Sequence, residues 1–273
     1  MHHETIVLWP EVVSGCGDED ANVPTLQVFV RESAVSRPAV LIVPGGGYRF
    51  VSPREGEPVA LRFAAAGFNA FVLSYRYAPN RHPLPLQDAS RALTLIRDNA
   101  EAWSVQPDAV AVCGFSAGGH LAASLAVHHD KPFAIGEPLK QPGYNRPDAL
   151  VLSYPVITSG EYAHSGSFRH LLGDTPDAAQ RSLLSLEKHV SGDMPPTFLW
   201  HTAADKSVPA QNSLLFAFAL AESCVPYELH IYPEGRHGLS LADKETNRES
   251  GADPHVATWF DLSVEWLQKV FGC

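Results

Sequence analysis

The chain is poor in cysteine, in positive charge and in the paired motifs that hold metals. Its four cysteines, Cys16, Cys113, Cys224 and Cys273, are scattered without the spacing of a disulfide framework, which fits reduced thiols and a cytoplasmic setting. Only 20 basic residues stand against 30 acidic ones, a formal charge of −10, and that surplus argues against nucleic acid or an anionic membrane as partner. Neither H-E-x-x-H nor C-x-x-C occurs, and the adjacent His128 and His129 would point in different directions on a helix, so no metal is expected despite 13 histidines. Met1 to Pro10 have neither a basic start nor a long apolar core, the marks of a secretory signal or a spanning helix. Repeats and low-complexity tracts are absent as well. A small, neutral or modestly polar substrate fits this composition, with no cofactor expected; nothing in it speaks to oligomeric state.

What is present suits a packed enzyme domain. At 273 residues and 45% hydrophobic content, the chain fits one α/β unit spanning 1–273 with an ample core. Short apolar runs predict strands near 25–30, 39–43, 69–74, 109–113, 148–153, 197–201 and 227–232. Helices are predicted near 57–66, 87–101, 117–129, 209–223 and 255–270. This alternation implies a mostly parallel sheet with helices on both faces and an active site at the C-terminal ends of the strands. Residues 155–196 interrupt the alternation; their histidines, glycines and one short leucine-rich helix read as a small lid insertion.

Gly114-Phe115-Ser116-Ala117-Gly118 lies between the apolar run 109–113 and the helix-like run 119–127. A serine on so sharp a strand-to-helix turn needs neighbours without a Cβ two positions away, and Gly114 and Gly118 meet that demand. A turn whose serine merely caps the helix is the plainer reading. A nucleophilic serine needs an imidazole base, and the base needs a carboxylate to hold its tautomer. The chain offers both in the order Ser, Asp, His: Asp205 in the loop after the 197–201 strand and His237 after the 227–232 strand. Asp205 could instead close an Asx turn, and Asp193 is the fallback acid. His201 and His230 fall within strands, where packed or solvent-facing roles suit them, and His128 ends a helix whose dipole favours imidazolium. Pro44-Gly45-Gly46-Gly47-Tyr48 directly follows an apolar strand, so its backbone amides can turn toward a developing oxyanion, with the N–H of Ala117 as a further donor. The loop lacks the spacing of a nucleotide-binding glycine motif.

Together with Ser74-Tyr75-Arg76-Tyr77-Ala78-Pro79, Ser153-Tyr154-Pro155, Val208-Pro209 and Tyr232-Pro233-Glu234-Gly235-Arg236-His237-Gly238, these motifs resemble the α/β-hydrolase serine esterases of the hormone-sensitive-lipase-like group. The nearest members are the acetyl xylan esterase-like and feruloyl-esterase-like proteins, and the resemblance covers nearly the whole chain. It implies Ser116 as nucleophile, His237 as base, Asp205 as acid, and the amides of Gly46, Gly47 and Ala117 as the oxyanion hole. Such relatives carry His before the glycines where this chain has Pro44. Tyr48, Phe115 and Tyr154, with His164 and Phe168, are candidates for the substrate pocket, though each suits core packing equally. Asp88 is read as holding a helix start and His120 as packing behind the elbow. The implied reaction is hydrolysis of short acyl esters, above all acetyl esters of sugars or xylo-oligosaccharides. The alternative is amide hydrolysis of the arylformamidase or peptidase type with the same triad, and behind it a non-catalytic hydrolase-fold binding protein.

Overall fold

The computed structural model describes residues 2–10, 22–31, 33–247 and 251–273; Cys16 lies outside them. Eight strands form one sheet in the order β1-β2-β4-β3-β5-β6-β7-β8. β1 (His2–Val7) and β2 (Thr25–Val30) run antiparallel at one edge. β3 (Arg37–Val43), β4 (Asn69–Ser74), β5 (Val105–Phe115), β6 (Ala149–Ser153), β7 (Thr197–Thr202) and β8 (Tyr227–Tyr232) are parallel.

Side-chain alternation along the strands builds two cores, one on each face. In β3, Ala39, Leu41 and Val43 join one cluster while Val40 and Ile42 join the other. The first is covered by α2 (Leu84–Asp98), α3 (Ala117–His128) and α6 (Gln211–Glu222), through residues such as Leu93, Leu121 and Phe216. The second is covered by α1 (Glu57–Ala65) and α7 (Pro254–Phe271), where Phe63, Trp259 and Phe260 are buried. Because β3 to β6 are covered on both faces, their sequences read as unbroken apolar runs. The fold is that of the α/β hydrolases.

α2, β5 and one added strand show the largest differences from the sequence reading, and 155–196 holds two short α-helices where one was expected. α2 starts at Leu84 rather than near 87, because Pro85 sits in its first turn, where the missing N–H costs nothing and the fixed φ suits a helix. β5 starts at Val105, which pairs with Arg37 ahead of a register shift. β1 was not expected: its residues alternate between half-buried and exposed, so an edge strand with polar His2, His3 and Glu4 carries no apolar signal. Residues 155–196 hold α4 (Ser165–Leu172), on the side of the sheet where the glycine loop and the elbow emerge, and α5 (Ala178–Leu183), whose Leu183 carbonyl meets His128 at the far end of α3. Among the described residues, no helix is long and apolar enough to cross a membrane. Cys113, Cys224 and Cys273 are free thiols.

Candidate active site

β5 ends at Phe115 and α3 begins at Ala117, so Ser116 is the whole of the turn between them, at φ 53° and ψ −118°. That left-handed backbone is unusual for a residue with a side chain and is held by its surroundings. Ser116 N–H donates to the Ser153 carbonyl at 3.0 Å, and its own carbonyl accepts from His120 and Val156 at 3.1 and 3.0 Å. The flanking glycines permit this close packing. A Cβ on Gly114 would lie 2.4 Å from the Gly118 carbonyl oxygen, and one on Gly118 would lie 2.1 Å from the Val43 carbonyl oxygen.

Ser116 Oγ sits 2.7 Å from His237 Nε2, and His237 Nδ1 sits 2.6 Å from Asp205 Oδ2. A carboxylate can only accept, so Nδ1 carries the proton and Nε2 presents its lone pair to the Ser116 hydroxyl. Asp205 is itself fixed: its Oδ1 accepts the N–H groups of Ser207 and Val208 at 2.9 and 3.0 Å. The Asx turn weighed from sequence is therefore real and coexists with the contact to His237. Burial pushes the Asp205 carboxyl up. Hydrogen bonding from His201 and His237, the charge of His237 and the Val208 N–H outweigh it and hold the group well below the usual carboxylate range. His201 is fully buried, with Nε2 donating to the Val208 carbonyl at 2.9 Å and lying 3.4 Å from Asp205 Oδ2. Asp193 is exposed, its backbone carbonyl holding Arg146.

The glycine loop comes within reach of the same serine. Gly46 and Gly47 line a cavity of about 320 Å³ together with Ser116 and His237. Both have positive φ, 129° and 64°. The turn's hydrogen bonds are donated by Arg49, Phe50 and Ser52 to the carbonyls of Gly46 and Gly45, which leaves the amides of Gly46 and Gly47 outside that ladder. Ala117 opens α3, where the first N–H groups have no partner within the helix. Gly45 is wedged behind them: its N–H donates to Glu55 Oε2 at 2.9 Å, and a Cβ there would meet both Glu55 and the Ser116 Cβ within 3.0 Å. From the other side, His170 on α4 bonds the Gly47 carbonyl through Nδ1 at 2.9 Å. This grouping can activate a hydroxyl, attack a carbonyl carbon and face the resulting oxyanion with backbone donors.

Tyr48, Phe115 and Tyr154 do not line the cavity. They are 1%, 0% and 2% exposed and form the wall behind it. Tyr48 bonds His120 Nδ1 at 2.9 Å, Phe115 packs on Tyr154 and Trp259, and the Tyr154 ring stands edge-on to His237 with centroids 5.0 Å apart. Phe168 is buried too, whereas His164 does line the cavity. Burial first, then the nearby His237, push the His164 imidazole down. Asp88 holds no helix start. It lies inside α2, where its carboxylate takes the Arg76 guanidinium and the Trp9 indole N–H. His120 does pack behind the elbow, between Tyr48 and the Leu184 carbonyl. His128 is no dipole-stabilised imidazolium: burial pushes its pKa down to about 4, against the raising effect of its bond to the Leu183 carbonyl. Among the described residues, no group of three or more His, Cys, Asp or Glu is placed to hold a metal ion.

Glu55, Arg54, His170 and His201 are the site residues that the sequence did not single out. None lies in a motif with a required spacing; the folded chain brings Glu55, Arg54 and His170 to the cavity and sets His201, packed in its strand as read from sequence, behind Asp205.

Comparison with known proteins identifies the family. The BD-FAE family profile matches residues 26–220. Endo-1,4-beta-xylanase B of Butyrivibrio fibrisolvens is 42% identical over 227 residues, 82% of this chain and 36% of that protein. An acetylxylan esterase of Xylanibacter ruminicola is 30% identical over 248 residues, 89% of this chain and 46% of that protein. The chain thus spans between a third and a half of the length of these curated relatives. A crystal structure of an acetyl ester-xyloside bifunctional hydrolase from Caldicellulosiruptor lactoaceticus is 42% identical and superposes with a TM-score of 0.85, covering 98% of this chain and 96% of that one. With the profile spanning most of the sheet and the elbow at its centre, the chain belongs to the BD-FAE family of α/β hydrolases.

Proposed function

We propose that this protein is a serine carboxylic-ester hydrolase that removes short acyl groups, above all acetyl, from sugars or xylo-oligosaccharides. The observation that carries this reading is the continuous contact from Ser116 Oγ through His237 to Asp205, at 2.7 and 2.6 Å. In the proposed reaction His237 Nε2 takes the Ser116 proton as Oγ bonds to the acyl carbon. The charge that develops on the carbonyl oxygen faces the amides of Gly46, Gly47 and Ala117. The carbon–oxygen bond to the alcohol then breaks, and His237 returns the proton to the departing oxygen. Water, deprotonated by the same imidazole, hydrolyses the acyl-enzyme and restores Ser116. Asp205 holds Nδ1 protonated throughout.

The choice of acyl group rests on the cavity and on the relatives. A space of about 320 Å³ shared with Arg49, Phe50, His164 and His170 suits a small acyl group with part of an alcohol. The similar proteins named an acetylxylan esterase and an acetyl ester-xyloside bifunctional hydrolase point the same way. In this reading 1–273 is one α/β-hydrolase domain and 155–196 a small cap, which contributes His164 and His170 to the cavity.

The test is acetate release from acetylated xylo-oligosaccharides, measured for the wild type and Ser116→Ala. The variant should stay folded and lose roughly three to six orders of magnitude in turnover. Cleavage confined to formyl-amide or peptide substrates would move the assignment to an amidase, and undiminished turnover in the variant would remove Ser116 from the reaction.

A further inference from the structure

The chain has a formal charge of −10, yet one wall of the cavity beside Ser116 is built with cations. Arg49, exposed, and Arg54, half-buried, both line it. The Arg54 guanidinium is fixed: Nη1 donates to the Thr246 carbonyl at 2.9 Å and to Asn247 Oδ1 at 3.3 Å, and Nη2 donates to the Gly238 carbonyl at 3.2 Å. Arg236, exposed and next in the chain to His237, does not itself line the cavity; it donates through Nη2 to the same Asn247 Oδ1 at 2.6 Å and through Nη1 to the His237 carbonyl at 3.0 Å.

Two guanidinium groups therefore converge on one amide oxygen, and every acceptor they use is neutral. Elsewhere Arg62, Arg76, Arg91, Arg97 and Arg169 each have a carboxylate within 3.9 Å. Among the described residues, Arg49, Arg54 and Arg236 have no such partner, and neither do Arg31, Arg37, Arg81, Arg146 and Arg181 away from the site; what sets Arg49 and Arg54 apart is that they line the cavity beside Ser116. The two carboxylates of the site are engaged with other donors: Glu55 with Gly45 N–H and Tyr154 O–H, Asp205 with His237, Ser207 and Val208. Like charges held together without a counter-charge repel, and the repulsion is relieved when a ligand brings an anion.

We infer that this wall is a subsite for an anionic group on the alcohol part of the ester, so that the preferred substrate is an acetylated acidic sugar. The inference rests on the ester-hydrolase reading above. An acetyl group carries no charge, so the anion belongs to the alcohol. Guanidinium forks match carboxylate and phosphate oxygens alike, and both are sources of that anion.

The experiment compares three monoacetylated sugars that differ at one carbon: a methyl glucoside, the corresponding glucuronide and the glucoside 6-phosphate. Initial acetate release gives kcat/KM for each. The glucuronide, the phosphate or both should be favoured over the neutral sugar by about tenfold at low salt, the scale of one or two charge-assisted contacts at a solvated rim. Whichever is favoured names the source of the anion. The preference should fall several-fold in roughly 0.5 M sodium chloride, where screening shortens the Debye length to about 4 Å. It should collapse toward unity in the double variant Arg49→Gln, Arg236→Gln and persist in Lys269→Gln, whose charge sits on α7 outside the cavity. Arg54 is kept in place because its guanidinium also holds Gly238, Thr246 and Asn247. Equal or lower rates on both anionic esters would overturn the subsite, as would a preference that survives the double variant. Failure to cleave even the neutral ester would instead count against the hydrolase reading.

Discussion

The Tyr154 hydroxyl donates to Glu55 Oε1 at 2.7 Å and accepts the Ser240 N–H at 2.8 Å. A single phenol, buried behind the site, thereby joins three separate parts of the chain. Glu55 passes the connection on to Gly45 and the glycine loop, and the Tyr154 ring braces His237 edge-on. Burial, reinforced by the neighbouring Glu55 carboxylate, pushes the phenol well above its usual range, so it serves as a hydrogen-bond donor and not as an acid.

Tyr154→Phe keeps the ring and removes this junction. Losing the partner of a buried carboxylate oxygen and of the Ser240 amide should cost about 1–3 kcal/mol of stability. It should also lower kcat more than it raises KM, because the residues it loosens are those that meet the transition state. Urea denaturation and ester kinetics on one preparation check both. Unchanged stability and unchanged kcat would show that the junction does not brace the site.

Asp205→Asn should leave the backbone turn intact, since an amide oxygen can still accept from Ser207 and Val208. It cannot hold the His237 Nδ1–H as a carboxylate does. Turnover should fall by on the order of 10⁴, as in other triads that lose this charge. The variant's kcat is the measurement, and a loss under tenfold would point to another acid.

Gly118→Ala should damage fold and activity together. The new methyl would sit 2.1 Å from the Val43 carbonyl oxygen and 2.4 Å from that of Pro44, both backbone atoms of the strand and loop that carry Gly46 and Gly47. Overpacking of this kind costs about 1–3 kcal/mol or more. Thermal denaturation and ester turnover should fall together; a variant with wild-type Tm would show that the elbow can open at little cost.

His120 predicts a pH dependence of stability. Burial pushes its pKa down to about 4, with the hydrogen bond to the Leu184 carbonyl opposing and the charges of His128 and His82 adding to the depression. The unfolded chain takes up a proton at this side chain below about pH 6.5, whereas the folded chain resists it until about pH 4. Its contribution to stability is therefore complete above about pH 6.5 and is lost as pH falls through that window, by up to roughly 3 kcal/mol. In His120→Gln, which does not titrate, the stability gap to wild type should narrow between about pH 7.5 and pH 4.5. Urea titrations at the two pH values decide the matter; a gap that stays constant or widens would contradict a buried neutral imidazole.

Sequence alone determined the architecture and pointed to the proposed triad, because both depend on local rules. Strands buried on two faces must be continuously apolar, as Val40, Leu41 and Ile42 are in β3 and Val110, Ala111 and Val112 are in β5. A sharp elbow must flank its serine with residues lacking a Cβ, so Gly114, Ser116 and Gly118 announce themselves. The loops after β7 and β8 follow from chain order, which made Asp205 and His237 legible. What depended on packing was not. Tyr48, Phe115 and Tyr154 read equally well as pocket or core, since an aromatic side chain beside a sheet can face either way, and all three turned into the wall. Glu55, Arg54 and His170 lie 61, 62 and 35 positions from the nearest of Ser116, Asp205 and His237, and His201, although four residues before Asp205, sits inside a buried strand. Their roles come from where the strands end in space, and only the tertiary structure decided which charges would meet beside Ser116 and which would be left without a partner.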